Sequence, residues 1–281
     1  MNGLKNTSNL KRLDQQNMFN TGAVIVANDT DRFNYVRLAE KCAERVQRHL
    51  NIPVSLVTTS DVTSSVFDKI ITMESYEQNQ RFFTATQEKT EWRNMGRTQV
   101  YDLTPYDRTL LLDADLFIQT DALLNHLKTN NDFAIVRDVY DPTTGHTYKM
   151  KFGKTQMDQC WATLVIFNKS ELARNIFDMA QHVLNHYDYY CRLYNFADAP
   201  LRNDYAFTVA CHLMGGYGQR HFDITGYALP NCDFYTDILE LNTDNILIKY
   251  NKQEKSYVQR IKSDLHMQNK LSLFERINES G

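Results

Sequence analysis

The chain has 281 residues, 42% hydrophobic and 23% charged, a globular composition that excludes fibrous, low-complexity and disordered classes. Its 31 Lys and Arg against 34 Asp and Glu leave a net charge of −3, so no overall basic field draws it to a polyanion. Five scattered cysteines form no C-x-x-C pair, and no run of about 18 apolar residues occurs, which argues against a zinc or redox module and against a membrane span.

In chain order, residues 1–21 read as a polar tail without an apolar leader stretch, and 22–281 as one domain of a soluble, cytoplasmic protein with reduced thiols. Ala23–Ala27 is a short β-branched run that stops at Asn28-Asp29-Thr30-Asp31, residues suited to opening a helix. Apolar residues at helical spacing predict a helix from about Phe33 to His49, and Pro53–Val57 a second strand. That βαβ unit predicts a parallel sheet. Residues 62–90 are less periodic, with a third strand around Lys69–Ile71 and a loop. A helix over about Trp92–Leu103 leads into the buried strand Thr109–Leu112. Further on come a strand at Phe133–Val136, a polar, basic and aromatic loop over about 140–159, and a continuous apolar strand at Trp161–Phe167, buried on both faces. Helices follow at about Ser170–Tyr187 and Asn203–Met214, the latter stopped by Gly215-Gly216. Residues 249–276 hold seven basic and three acidic residues.

The chemistry concentrates in LLLDADLFI, residues 110–118, where Asp113 and Asp115 stand one residue apart as a buried strand leaves the sheet. Ligands of open α/β sheets collect at the carboxyl ends of strands. Two hard oxygen donors there suit Mg²⁺ or Mn²⁺ bridged to phosphate oxygens, although many acidic strand ends are only solvated turns.

The segment Gly96–Ile118 resembles the glycogenin-like retaining glycosyltransferases of family 8: a basic residue, a helix, L-T-x-Y and a strand lead to a D-x-D. The resemblance implies a single Rossmann-like GT-A α/β domain with a mostly parallel sheet flanked by helices, a nucleotide-sugar half over about 22–120 and an acceptor half over about 121–281. Arg97, 16 residues before Asp113, stands where the family keeps a basic residue for the donor diphosphate. VIVANDTDRFNY resembles the family's first strand and uridine loop, which carries over Ala27, Asn28, Asp29 and Tyr35, the tyrosine sitting later than the family's own. Asp113, Ala114 and Asp115 take the D-x-D role. Arg202–Thr208 resembles the D-Q-x-x-x-N segment, with Asp204 on its acid and Tyr205 replacing its Gln. Asp264–Lys270 resembles H-x-x-G-x-x-K without its glycine, making His266 a third metal ligand and Lys270 a phosphate contact.

The implied reaction is metal-dependent transfer of a sugar from a nucleoside diphosphate, UDP in this family, to a hydroxyl, with retention. Asp113, Asp115 and His266 would hold Mn²⁺ or Mg²⁺, Arg97 and Lys270 would assist the leaving group, and Asp204 would lie under the anomeric carbon. The acceptor is a carbohydrate, a protein, a lipid-linked glycan or, from the basic-aromatic loop with Tyr148, Lys149, Lys151, Phe152 and Lys154, a nucleic acid. Two other readings stand beside it: a nucleotide-sugar-binding scaffold without turnover, and a D-x-D phosphatase or phosphotransferase. The second wants Thr or Val where Phe117 stands.

Overall fold

The computed structural model describes residues 20–74, 79–83, 88–92, 94–155, 157–196, 200–216 and 219–279. Most of the expected polar tail, 1–19, lies outside these. The first half runs β1 (Thr21–Val26), α1 (Tyr35–Leu50), β2 (Val54–Thr58), β3 (Lys69–Thr72), β4 (Asn79–Phe83), β5 (Glu88–Trp92), a 3₁₀ turn (Met95–Gln99), α2 (Val100–Leu103), β6 (Arg108–Leu112), β7 (Leu116–Phe117) and α3 (Leu124–Leu127). The second half runs β8 (Phe133–Val136), β9 (Asp138–Asp141), β10 (His146–Lys149), β11 (Trp161–Asn168), α4 (Glu171–Asn185), α5 (Tyr187–Leu193), α6 (Asn203–Gly215) and a 3₁₀ turn (Gln219–Phe222). It ends in β12 (Leu229–Cys232), β13 (Asp237–Asn242), β14 (Asn245–Lys252), β15 (Lys255–Ile261), β16 (Leu265–Met267) and α7 (Lys270–Glu279).

The central sheet has the order β3-β2-β1-β6-β11-β8. Its β3, β2, β1 and β6 are parallel, and β11 is antiparallel to both of its neighbours. The mostly parallel α/β architecture expected from the sequence is therefore the one adopted. Strand alternation sorts the core onto two faces. Ile25, Leu56, Leu110 and Leu112 pack with Leu38, Ala39, Cys42 and Val46 of α1. Val24, Val57, Leu111 and Val165 pack with Ile176, Phe177 and Ala180 of α4 and Phe207 of α6. Gly22 has a packing reason: a Cβ there would collide with the Tyr106 ring, whose hydroxyl bonds Ser55 Oγ at 2.8 Å.

Helix α1 begins two residues later than expected because Asn34, not the Asn28–Asp31 segment, is its N-cap, its side chain accepting from the Arg37 amide at 2.7 Å. Asp29 still contributes, accepting from the Val36 amide at 2.9 Å. The helix expected over Trp92–Leu103 is instead the end of a β4–β5 hairpin, a 3₁₀ turn and a four-residue helix. Gly96 is a poor helix former there, and the tight turn sends Arg97 inward. Half of the expected loop 140–159 is a β9–β10 hairpin. Its turn is built by the Asp141 carboxylate, which accepts from the Thr143 amide at 2.8 Å, and by Gly145 at φ 73°. All four residues of β10 are exposed, so no apolar alternation marked it as a strand.

A second sheet, β10-β9-β12-β16-β7, is joined to the carboxyl end of β6 through β7, and β13-β14-β15 form a meander. No helix among the described residues is long and apolar enough to cross a membrane.

Candidate active site

Strand β6 is buried along its whole length and delivers Asp113 and Asp115 at its carboxyl end. The chain turns there, with the Leu116 amide donating to the Asp113 carbonyl at 3.1 Å and the Asp113 amide donating to the Thr163 carbonyl of β11 at 3.0 Å. Cys42 of α1 holds the turn from behind, its thiol donating to the Leu116 carbonyl at 3.0 Å. Burial pushes that thiol up to about 12, so it remains a neutral donor.

After the turn, β7 pairs antiparallel with β16, and His266 falls opposite Leu116. The Met267 amide adds a bond to the Asp115 carbonyl at 3.1 Å. This pairing brings a histidine from the far end of the chain beside the carboxylates, with His266 Nε2 3.5 Å from Asp115 Oδ1. Asp113, Asp115 and His266 each offer one ligand atom, all within 4.8 Å of one another. Two carboxylates and an imidazole at this spacing fit a divalent ion such as Mn²⁺ or Mg²⁺. Lys270, the first residue of α7, places its ammonium on the Asp115 carboxylate and donates to the Met267 carbonyl at 2.6 Å.

Arg97 lies on the opposite side, fully buried. Its guanidinium pairs with Asp113 at 2.9 Å and donates to the carbonyls of Leu112, at 3.2 Å, and Ala162. Asp204, in the first turn of α6, accepts from the amide of the same Ala162 at 2.8 Å. Burial lowers the Arg97 pKa, and the charges of Asp113 and Asp204 oppose that shift. At Asp113 the balance runs the other way. Burial pushes its carboxyl up, but Arg97, His266, the Thr163 hydroxyl and Lys270 outweigh burial and hold it below the ordinary range. Arg97, expected at the donor diphosphate, thus faces inward and links Asp113 to the Asp204 segment through β11.

Ala27, Asn28 and Asp29 follow β1, whose register places Ile25 beside Leu112, so their loop leaves the sheet next to the D-x-D turn. Hydrogen bonds to the residues after β2 tie that loop down. Asn28 accepts from the Thr59 amide at 2.6 Å, and the Asp29 amide donates to Ser60 Oγ at 3.1 Å. Tyr35 packs edge-on against Phe274 of α7, with ring centroids 5.3 Å apart. Ala114 is buried in the turn.

The structure therefore gathers Asp113, Asp115, His266 and Lys270, with Arg97 paired directly to Asp113 and Asp204 joined to Arg97 through Ala162, and sets the Ala27–Asp29 loop at the neighbouring strand end. Three neighbours have no counterpart in the motif reading. Trp161 is buried, lies edge-on to His266 at 6.5 Å, and its indole N–H has no hydrogen-bond partner among the described residues. Asn231 bonds His266, and Gln268 bonds Asn231. No local spacing marks any of them; only the pairing of β12 with β16 and the start of β11 bring them in.

No family model and no curated protein matches the chain. Among solved structures, the glycosyltransferase GlyE of Streptococcus pneumoniae is similar at 13% identity over 72% of this chain and 44% of GlyE, with a TM-score of 0.44. The chain thus spans under half the length of GlyE. Galactosyltransferase LgtC, solved with donor and acceptor sugar analogues, is similar at 13% identity over 67% of this chain and 69% of LgtC, with a TM-score of 0.43. The bifunctional glycosyltransferase WbbM is similar at 16% identity over 58% of this chain and 34% of WbbM, with a TM-score of 0.36.

Proposed function

We propose that the chain is a metal-dependent glycosyltransferase that moves a sugar from a nucleoside diphosphate, UDP, to a hydroxyl acceptor with retention. The observation that carries this reading is the triad of Asp113, Asp115 and His266 at the carboxyl end of β6, within 4.8 Å of one another. A divalent ion held there supplies positive charge to the departing diphosphate. Lys270 adds a second positive charge at the same point and takes a phosphate oxygen as its partner. Arg97 holds Asp113 ionised and aimed outward, and lends its charge to the leaving group. The Ala27–Asp29 loop and Tyr35 bind the nucleoside. Asp204 orients the sugar and stabilises the positive charge that develops at its anomeric carbon.

In this reading residues 22–281 form one GT-A domain, donor half first, and the five free, buried thiols suit a cytoplasmic location. Lys149 lies 3.5 Å from Asp138 and 3.7 Å from both Asp158 and Asp223, and Lys151 pairs with Asp158 at 2.6 Å. Two of the three lysines of the basic loop are thus neutralised internally, which favours a carbohydrate, protein or lipid-linked acceptor over a nucleic acid.

The test is a thermal-shift and UDP-release panel with Mn²⁺ or Mg²⁺ and the common nucleotide sugars, run beside the Asp113→Ala/Asp115→Ala double variant. Metal-dependent stabilisation by one UDP-sugar with slow UDP release, both absent from the variant, is the expected outcome. Stabilisation without UDP release from any donor would replace the enzyme by the scaffold. No response to any donor would remove the glycosyltransferase reading and favour the phosphatase.

A further inference from the structure

We infer that Asn231 is a positioning residue for the metal triad: it fixes His266 in the tautomer that carries its proton on Nδ1, leaving the Nε2 lone pair for the ion. This rests on the proposed metal site. Parallel pairing of β12 with β16 sets Asn231 beside His266, so the two side chains project from the same face. Asn231 Oδ1 lies 2.8 Å from His266 Nδ1 and also accepts from Gln268 Nε2 at 2.9 Å. Both lone pairs of the amide oxygen are then occupied, and the imidazole must be the donor.

Trp161 stands edge-on to the same imidazole, with ring centroids 6.5 Å apart. A ligating histidine held at its far nitrogen in this way loses neither its tautomer nor its direction, and such outer partners weaken metal binding 10- to 100-fold when removed, as an order of magnitude. The network Gln268–Asn231–His266 is buried at its centre, with Asn231 5% exposed, so water does not substitute readily for the amide.

Two readouts independent of turnover test this. In the metal-free full-length chain, long-range ¹⁵N–¹H spectra followed upward in pH until the His266 signals stop shifting should show the neutral ring protonated at Nδ1, the signal being assigned by its loss in His266→Gln. Calorimetric titration with Mn²⁺ alone should then give, for Asn231→Leu, affinity weakened by roughly 10- to 100-fold, with a mixed His266 tautomer. Asn231→Asp, which keeps an acceptor, should restore both. If Asn231→Leu does not fold, Gln268→Leu is the second variant, expected to weaken Mn²⁺ binding in the same direction. A wild-type His266 protonated at Nε2, or equal Mn²⁺ affinity in wild type and the Leu variants, overturns the inference and leaves the metal site standing. Absence of Mn²⁺ binding by wild type removes the metal reading, and the inference with it.

Discussion

Arg97 has no exposed surface, yet it carries a full charge, and its worth lies in what it neutralises. Its partner Asp113 sits at 2.9 Å, and Asp204 acts on it electrostatically through the same region of β11. Removing one member of a buried pair strands the other, which costs more than the pair itself contributes. Arg97→Met should therefore lower stability by about 3–5 kcal/mol, read as a shift of the urea midpoint at constant slope. Arg97→Lys keeps the charge but loses the planar fork that reaches Asp113, Leu112 and Ala162 together, and should fall between the two. A wild-type midpoint in Arg97→Met would show that Asp113 is held by other means. The 16-residue spacing from Arg97 to Asp113 was legible in the sequence. Its inward direction was not, because the Ala162 carbonyl it bonds arrives 65 residues later.

Helix α1 shows how local chemistry and tertiary contact divide the work at the level of an element. Asn34 opens it, Val36, Ala39, Cys42, Ala43, Val46 and Leu50 line its buried side, and Arg48 and His49 sit in its last turn, where the helix dipole favours them. Asn51 ends it in the left-handed region, at φ 53° and ψ 41°, its amide donating to the Gln47 carbonyl at 3.1 Å. A side chain without asparagine's tolerance for that conformation strains the cap. Asn51→Ala should cost about 1 kcal/mol, and Asn51→Gly should leave stability unchanged or raise it. Thermal denaturation of the two variants decides the point, and equal melting temperatures would mean that the cap relaxes. Because this helix also carries Cys42 to the D-x-D turn, its end signals bear on the site as well as on the fold.

Across the whole molecule, the dependence of stability on pH has a sign that follows from burial. Burial pushes His126 and His212 below their ordinary 6.5. A histidine whose pKa falls on folding is protonated more readily in the unfolded chain, so its contribution is complete above 6.5 and is lost as pH falls through the folded value. The chain should lose stability on acidification in the window just below 6.5, and His126→Gln/His212→Gln should flatten that slope. Urea titrations at closely spaced pH values measure it, and an unchanged slope in the double variant would place the acid sensitivity elsewhere.

The sequence by itself determined the parts of this protein that depend on neighbours along the chain. Apolar runs set β1, β2, β6 and β11, helical periodicity set α1, α4 and α6, and the D-x-D marked the strand end where chemistry collects. Those signals are local: a strand or a helix face must bury its own apolar residues whatever else the chain does. Only the tertiary structure decided the rest. Strands β10 and β15 are exposed along most of their length, so their pairing partners, not an apolar face, define them. His266 was legible as a candidate, but its place beside Asp115 depends on β7 pairing with β16, and the hydrogen bond that orients it depends on β12. Hydrogen bonds between segments far apart in the chain leave no trace in local spacing, which is why Asn231 and Trp161 emerged only once the strands were in register.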